Sequence, residues 1–114
     1  MGDLIKEIAE WHEKTFAEES FEGQAGKFLD ELVEFYEESD QEKAITELAD
    51  CFIVACGMWR FDKKGTLNAF VAIETIMHNR GITYEKMIDA INKKMEINKS
   101  RTWAKNGSGS YQHQ

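Results

Sequence analysis

The stretch Glu47-Leu-Ala-Asp-Cys-Phe-Ile-Val-Ala-Cys-Gly-Met-Trp59 decides the fold, because it is almost wholly apolar and long enough for several helical turns. With no proline anywhere in the chain, we expect a central helix over about residues 41–60. From Leu48 onward, Asp50 is the only ionisable group of this run apart from two thiols. A carboxylate in such surroundings must be ion-paired, protonated or bound to a cation.

Helical spacing of apolar residues predicts four further helices around this one. The first carries an apolar stripe from Leu4 to Thr15, and the second covers about residues 24–38. Another contains residues 67–77, and the last begins near Thr83. Short connections favour an all-α antiparallel bundle of about five helices.

On the second helix the residues expected to face inward are Phe28, Leu32, Phe35 and Tyr36. The fourth helix carries the apolar residues Leu67, Phe70, Val71, Ile73 and Met77, and the fifth carries Tyr84, Met87, Ile88, Ile91 and Met95. Because so short a chain is not expected to bury all of its apolar surface alone, the candidates for an intersubunit surface are Phe52, Val54, Met58, Phe70 and Val71.

Composition limits the class of protein. With 114 residues, 42% hydrophobic content and a net charge of -7, the chain is expected to form one domain over residues 1–103. A Gly- and Ser-containing tail over residues 104–114 is expected to be flexible. The acidic balance disfavours a nucleic acid polymer as partner, and the apolar run is shorter than the roughly 20 residues of a membrane span. We therefore expect a cytoplasmic protein, with Cys51 and Cys56 as buried, reduced thiols because their helical spacing opposes a disulfide.

Two acidic pairs carry the first chemical signal. Glu31 and Glu34 are three residues apart on the second helix, as are Glu47 and Asp50 on the third. Residues at this spacing share a helix face, so two packed helices would gather four carboxylates. Such a cluster suits a hard cation, which predicts Mg²⁺, with Mn²⁺ as a second possibility.

A polar stripe on the last helix carries the second signal. Lys94, Asn98 and Arg101 occupy positions i, i+4 and i+7, and Trp103 follows directly. An ammonium, an amide and a planar guanidinium in one line suit the oxygens of an oligophosphate. Basic residues near a helix C-terminus also favour the helix dipole, which is the structural alternative.

Aromatic residues near the start of the chain are candidates for contacts to a nucleobase. Trp11 offers a face for stacking, and the imidazole of His12 can hydrogen-bond a base edge. The alternative for Trp11 is core packing on the stripe of Leu4 and Ile8, and for His12 it is the protein surface. Trp103, next to Arg101, is a further candidate for ligand contact.

These motifs together resemble a known family. The segments Lys27-Phe-Leu-Asp-Glu-Leu-Val-Glu34 and Glu47-Leu-Ala-Asp-Cys-Phe-Ile-Val54 are similar to the ExxE and ExxD motifs of the MazG-type all-alpha nucleoside triphosphate pyrophosphohydrolases. The opening Ile8-Ala-Glu-Trp-His-Glu-Lys-Thr-Phe16 and the closing Lys94-x-x-x-Asn98-x-x-Arg101-x-Trp103 resemble the phage and bacterial dATP/dGTP diphosphohydrolase branch. The likeness covers most of the chain and is weakest over residues 62–81.

The resemblance implies Mg²⁺-dependent hydrolysis of a nucleoside triphosphate, expected to be dATP or dGTP, between the α and β phosphates, and assembly as a homodimer or homotetramer. One glutamate can also accept a proton from the attacking water, and Glu34 is the candidate for this general base, with Glu31 as the other candidate. The implied metal ligands are Glu31, Glu34, Glu47 and Asp50, and the implied phosphate contacts are Lys94, Asn98 and Arg101.

Two other classes of protein remain open at this point. A carboxylate-bridged di-iron bundle also gathers four acids, but that class uses Glu-x-x-His pairs, which this chain lacks. A non-catalytic helical module that binds a nucleotide or a partner would use the acidic stripes only as solvated faces. Asp50 argues against that module, because a solvated face does not require an acid inside an apolar run.

Overall fold

Five α-helices make up the domain in a computed structural model that describes residues 2–101, 103–105 and 111–113. The helices are α1 (Gly2–Thr15), α2 (Phe21–Glu37), α3 (Gln41–Met58), α4 (Lys63–Arg80) and α5 (Tyr84–Ser100). Three or four residues separate each helix from the next after α2. The predicted all-α class and the number of helices are confirmed.

Local hydrogen bonds set the helix ends. The carboxylate of Asp40 accepts from the backbone N–H groups of Glu42 and Lys43 at the start of α3, and the hydroxyl of Thr83 accepts from Lys86 N at the start of α5. Such caps satisfy donors that the first helical turn leaves unpaired. Gly81 ends α4 with φ 67°, a left-handed conformation that glycine adopts without strain. These boundaries are therefore encoded close to where they occur.

Helix α3 lies at the centre of the domain and contacts each of the other four helices. All residues from Cys51 to Met58 are buried, as are Ile8 on α1, Phe35 on α2 and Ile91 on α5. A helix that is apolar on every side is stable only when it is surrounded. The apolar run at residues 48–59 thus organises the core, as its sequence predicted.

Tyr36 on α2 was predicted to face inward but is exposed, and the apolar residues Leu67 and Val71 on α4 and Tyr84 on α5 are exposed as well. The apolar stripes of these helices are wider than the face that meets α3, so their outer members remain in solvent. On α2, Leu29 and Val33 extend the exposed stripe of Tyr36 at helical spacing.

A short strand pair follows α5. Strands β1 (Trp103–Lys105) and β2 (Tyr111–His113) are antiparallel, with Trp103 opposite His113. Residues 106–110 and 114 lie outside the described part of the chain, so the predicted flexible tail over 104–114 remains a prediction.

None of the five helices combines the length and the apolarity that crossing a bilayer requires. Cys51 and Cys56 are both buried and free, as predicted.

Candidate functional site

One cleft of about 330 Å³ contains every residue that the sequence proposed for chemistry. Its walls come from α1, α2, α3 and α5, with the indole of Trp103 at one edge. The predicted residues that line it are Trp11, His12, Glu31, Glu34, Glu47, Asp50, Lys94, Asn98, Arg101 and Trp103. Helices distant in sequence therefore bring the acidic, basic and aromatic motifs to the same space.

Carboxylates from α2 and α3 meet at one end of this cleft. One oxygen from each of Glu31, Glu34 and Glu47 lies within 4.8 Å of the other two. The Oε2 atom of Glu31 is buried and has no hydrogen-bond partner. Leaving a buried acceptor unpaired costs about 1–3 kcal/mol, so this oxygen is a candidate ligand for a cation or a donor.

Burial and mutual repulsion shift the acid–base behaviour of this cluster. Burial, followed by the nearby charges of Asp50 and Glu34, raises the pKa of Glu31 to about 8. Burial, together with a hydrogen bond to Glu34, raises the pKa of Glu47 to about 7, although the ammonium of Lys94 opposes the increase. Like charges that share a partly dry site favour protonation, unless a cation neutralises them.

Asp50 lies beside these three acids but has its own partner. Its Oδ2 atom is 3.5 Å from the Nζ atom of Lys94, and both side chains are mostly buried. Burial raises the pKa of Asp50, while the charge of Lys94 lowers it. Of the three outcomes expected for an acid in this apolar run, the structure has ion pairing.

The donors of the cluster fit a hard divalent cation. They are carboxylate oxygens, which Mg²⁺ and Mn²⁺ prefer. The nearby Cys51 adds no soft thiolate, because burial and the neighbouring carboxylates raise its pKa to about 12. Among the described residues, no histidine belongs to the convergent acidic group, whereas a di-iron bundle of the Glu-x-x-His type requires one.

The basic stripe of α5 faces the carboxylates. Lys94, Asn98 and Arg101 all line the cleft, and the side chain of Asn98 is buried. The indole Nε1 of Trp103 donates to the backbone oxygen of Asn98 at 3.1 Å, which fixes the ring just beyond the end of α5. The site therefore has negative and positive charges on neighbouring walls.

Three aromatic rings, those of Trp11, Phe16 and Trp103, contribute to the wall of the cleft. Trp11 packs edge-to-face against Phe16 at 5.1 Å and against Trp103 at 6.4 Å, and Phe16 meets Trp103 at 5.1 Å. The ammonium of Lys27 lies 5.4 Å from the centre of the Trp103 ring. Both readings of Trp11 thus have a basis in the structure, since it packs against the core and also lines the cleft.

His12 is buried and held by protein groups on both sides of its ring. Its Nε2 atom is 2.9 Å from the carbonyl oxygen of Ile53, which can only accept, so Nε2 donates. Its Nδ1 atom is 3.2 Å from Oε2 of Glu19. The surface alternative for His12 does not hold, and its two ring nitrogens are already used within the protein.

Glu19 is a member of the site that sequence reasoning did not identify. Its side chain is 1% exposed, and its second oxygen accepts from Arg60 at 3.1 Å. Arg60 also donates to the carbonyl oxygen of Phe16 at 2.7 Å. Glu19 lies in a non-helical connection, and its partner is 41 residues away, so no local pattern identifies it.

Gln24 is the second missed member. It is 1% exposed, lines the cleft, and has a side-chain oxygen without a hydrogen-bond partner. Here a signal was available, because Gln24, Lys27, Glu31 and Glu34 follow helical spacing along one face of α2.

No family model, no curated protein and no solved structure matches this chain.

Proposed function

We propose that this protein is a nucleoside triphosphate pyrophosphohydrolase of the MazG-like type, which cleaves its substrate between the α and β phosphates with a divalent cation. The observation that carries the proposal is the composition of one cleft. Carboxylates with an unpaired oxygen, a basic stripe and an aromatic wall all line the same 330 Å³ space. A nucleoside triphosphate combines the three matching parts, namely a cation-binding polyphosphate, further phosphate charge and a flat base.

The acidic end suits the binding of Mg²⁺ or Mn²⁺ by Glu31, Glu34 and Glu47, with Asp50 beside them. A cation there would neutralise phosphate charge and make an attacking water more acidic. Glu34, or alternatively Glu31, accepts the proton of that water at a carboxylate oxygen. Lys94 and Arg101 stabilise the charge that develops on the leaving pyrophosphate, as phosphoryl transfer depends mainly on positioning and charge.

The aromatic wall suits the nucleoside. Trp11, Phe16 and Trp103 pack against one another and line the cleft, so the base would leave water against their apolar surface while the phosphates contact the charged groups. The expectation that the substrate is dATP or dGTP comes from the resemblance of the sequence to the diphosphohydrolase branch.

We also propose that the protein assembles as a homodimer or a homotetramer. The structure buries Phe52, Val54 and Met58 within the chain's own core, so an intersubunit surface would have to use other residues. Val71 on α4 is exposed and remains available. Light scattering at micromolar concentration distinguishes an assembly from a monomer.

The direct test is pyrophosphate release with Mg²⁺ across the canonical ribo- and deoxyribonucleoside triphosphates, measured beside the variants Glu34→Gln and Asp50→Asn. We expect release from dATP or dGTP, and loss of release in both variants while circular dichroism shows an intact helical fold. Absence of pyrophosphate from every triphosphate would contradict the proposal.

The alternative is a non-catalytic helical module that binds a nucleotide or another partner. It predicts that Mg²⁺ leaves the thermal stability unchanged and that no triphosphate is cleaved. A melting curve with and without Mg²⁺ separates this alternative from the enzyme before any substrate is chosen.

A further inference from the structure

His12 and Glu19 form a buried pair in the wall of the cleft, and hydrogen bonding limits where the protons of this pair can lie. The side chain of His12 is 5% exposed and that of Glu19 is 1% exposed. The Nε2 atom of His12 is 2.9 Å from the carbonyl oxygen of Ile53, and a carbonyl oxygen has no proton to donate. The Nε2 atom therefore carries a proton.

The other ring nitrogen faces a second acceptor. The Nδ1 atom of His12 is 3.2 Å from Oε2 of Glu19. Without a proton between these atoms, the lone pair of Nδ1 would face a carboxylate oxygen in a site that excludes water, which is unfavourable. One proton therefore lies between Nδ1 and Oε2.

Arg60 indicates which of the two atoms holds this proton. Its guanidinium donates to Oε1, the other oxygen of Glu19, at 3.1 Å. A guanidinium is always charged in a protein, and a positive charge at this distance favours the ionised form of a carboxyl group. The proton then belongs to Nδ1, and the positive ring of His12 is balanced by the negative charge of Glu19.

Other charged side chains line the same cleft: Lys27, Glu31 and Glu34 from α2, Glu47 and Asp50 from α3, and Lys94 and Arg101 from α5. Both ring nitrogens of His12 are engaged by Ile53 and Glu19, so these groups act on the ring only through their charge. The carboxylate of Glu19 is the partner that sets its state.

The same buried groups hold two aromatic rings of the cleft in place. Arg60 donates to the carbonyl oxygen of Phe16 at 2.7 Å as well as to Glu19. The ring centres of Trp11 and Phe16 lie 5.1 Å and 5.4 Å from that of His12. His12 is itself seated closely against α3, since a Cβ atom at Gly57 would be 2.6 Å from Nδ1. The aromatic wall of the cleft therefore rests on this network.

We infer that His12 is a doubly protonated imidazolium at neutral pH, and that with Glu19 and Arg60 it positions Trp11 and Phe16 in the wall of the cleft. With both ring nitrogens engaged, His12 has none left for a nucleobase, so it is a positioning residue. Charge-assisted hydrogen bonds are about twice as strong as neutral ones, which suits a network that fixes a non-helical connection. The positioning role rests on the proposed function, in which these rings receive the base, whereas the protonation state does not.

Nitrogen-15 NMR of the imidazole groups at neutral pH tests the protonation state. The chain has three histidines, and the signals of His12 are those retained in both His78→Gln and His113→Gln. We expect both ring nitrogens of His12 to carry a proton in wild-type protein and in Glu13→Gln, which changes an exposed acid of α1. In Glu19→Gln an amide can donate to Nδ1, so we expect a neutral ring protonated on Nε2 alone. A single proton on the wild-type ring would overturn the imidazolium.

Kinetics and binding test the positioning role. Glu19→Gln and, at a partly exposed side chain, Arg60→Gln each remove one charge from the network. We expect both to raise KM for dATP roughly 10-fold while kcat stays within a few-fold of wild type, because the wall is no longer held in its binding geometry. The dissociation constant of inorganic tripolyphosphate, which has no base, should not change, and Glu13→Gln should behave as wild type. An unchanged KM, or an equal weakening of tripolyphosphate, would overturn the positioning role.

Failure of the proposed function gives a different result, namely no pyrophosphate from dATP with wild-type protein while the NMR result for His12 stands. The dissociation constants of dATP and tripolyphosphate then decide the positioning role in place of KM. If neither compound binds, the positioning role and the proposed function are refuted together.

Discussion

Glu19 and Glu31 line the same cleft, yet the structure treats these two glutamates in opposite ways. Glu19 is the more buried, and both of its oxygens have partners, His12 and Arg60. Glu31 is only half-buried, but one of its oxygens has no partner and its nearest charges are carboxylates. Burial alone therefore does not mark a functional acid. A buried acid without a counter-charge is the better indicator of function, because its burial costs free energy that a bound cation or donor can recover.

The largest expected difference between the two acidic regions is in activity. Glu31→Gln removes a proposed cation ligand and is expected to lower kcat/KM for pyrophosphate release by about 10²–10³-fold or more. Glu37→Gln, an exposed acid on the same helix, should stay within a few-fold of wild type. Comparable losses in both variants would mean that general acidity of α2, rather than the cluster, supports activity.

For the free energy of unfolding, Glu19 should matter more than Glu31. Glu19→Ala leaves His12 and Arg60 without their carboxylate partner and is expected to lower the free energy of unfolding by about 3 kcal/mol. Urea denaturation measures the change, with Glu13→Ala, an exposed acid of α1, as control. A loss below about 1 kcal/mol would show that the buried network contributes little to the fold.

The dependence of stability on pH sharpens the comparison further. The folded-state pKa values of Glu31, about 8, and Glu47, about 7, lie above the ordinary 4.5, so the folded protein binds more protons than the unfolded chain between these limits. Without a divalent cation, stability should therefore fall as pH rises from about 5 to 8. We expect a fall of about 2 kcal/mol, allowing for screening of the half-exposed cluster by solvent.

Urea denaturation with EDTA at several pH values tests this. The fall should shrink in Glu31→Gln and on adding Mg²⁺, since each removes repulsion between the carboxylates. A stability that is constant or rises over the same range would mean that the acids are better solvated than their burial indicates.

The smallest expected change in stability concerns the close contact between His12 and Gly57 of α3. Gly57 lies so close to the imidazole that a Cβ atom there would be 2.6 Å from Nδ1 of His12. Gly57→Ala should therefore displace a ring held between Glu19 and Ile53, at a net cost of about 1 kcal/mol, because alanine also improves the helix by a similar amount. Thermal unfolding against Gly26→Ala, where a Cβ meets nothing within 4 Å, isolates the clash. Equal stabilisation of both variants would show that His12 can move freely.

Much of the fold was predictable because its signals are local. Thr83 caps the last helix where the sequence placed its start, and the apolar run of α3 is central as expected. Prediction was weaker where an apolar stripe is wider than the contact it makes. Tyr36 and Val71 have the spacing of core residues, but the sequence does not say which edge of the stripe meets α3.

The residues of the candidate site also differ in whether the sequence alone could identify them. Glu31, Glu34, Lys94 and Arg101 stand out by their spacing, and all of them line the cleft. The partners of Glu19 do not follow from any spacing. Helical spacing places Gln24 on the same face of α2 as Glu31, but it does not show that the amide oxygen of Gln24 lacks a partner, because that depends on what the neighbouring helices present.

By itself, the sequence determined the helices, their caps, the central position of α3, and the acidic and basic motifs, since hydrogen bonds within a helix and the period of its apolar residues act over a few positions. Tertiary packing alone decided which polar groups are paired. It gave Glu19 two partners and Asp50 the ammonium of Lys94, and it left oxygens of Glu31 and Gln24 without a partner. Pairing depends on distances of about 3 Å between groups far apart in the chain, and only the packed helices set such distances.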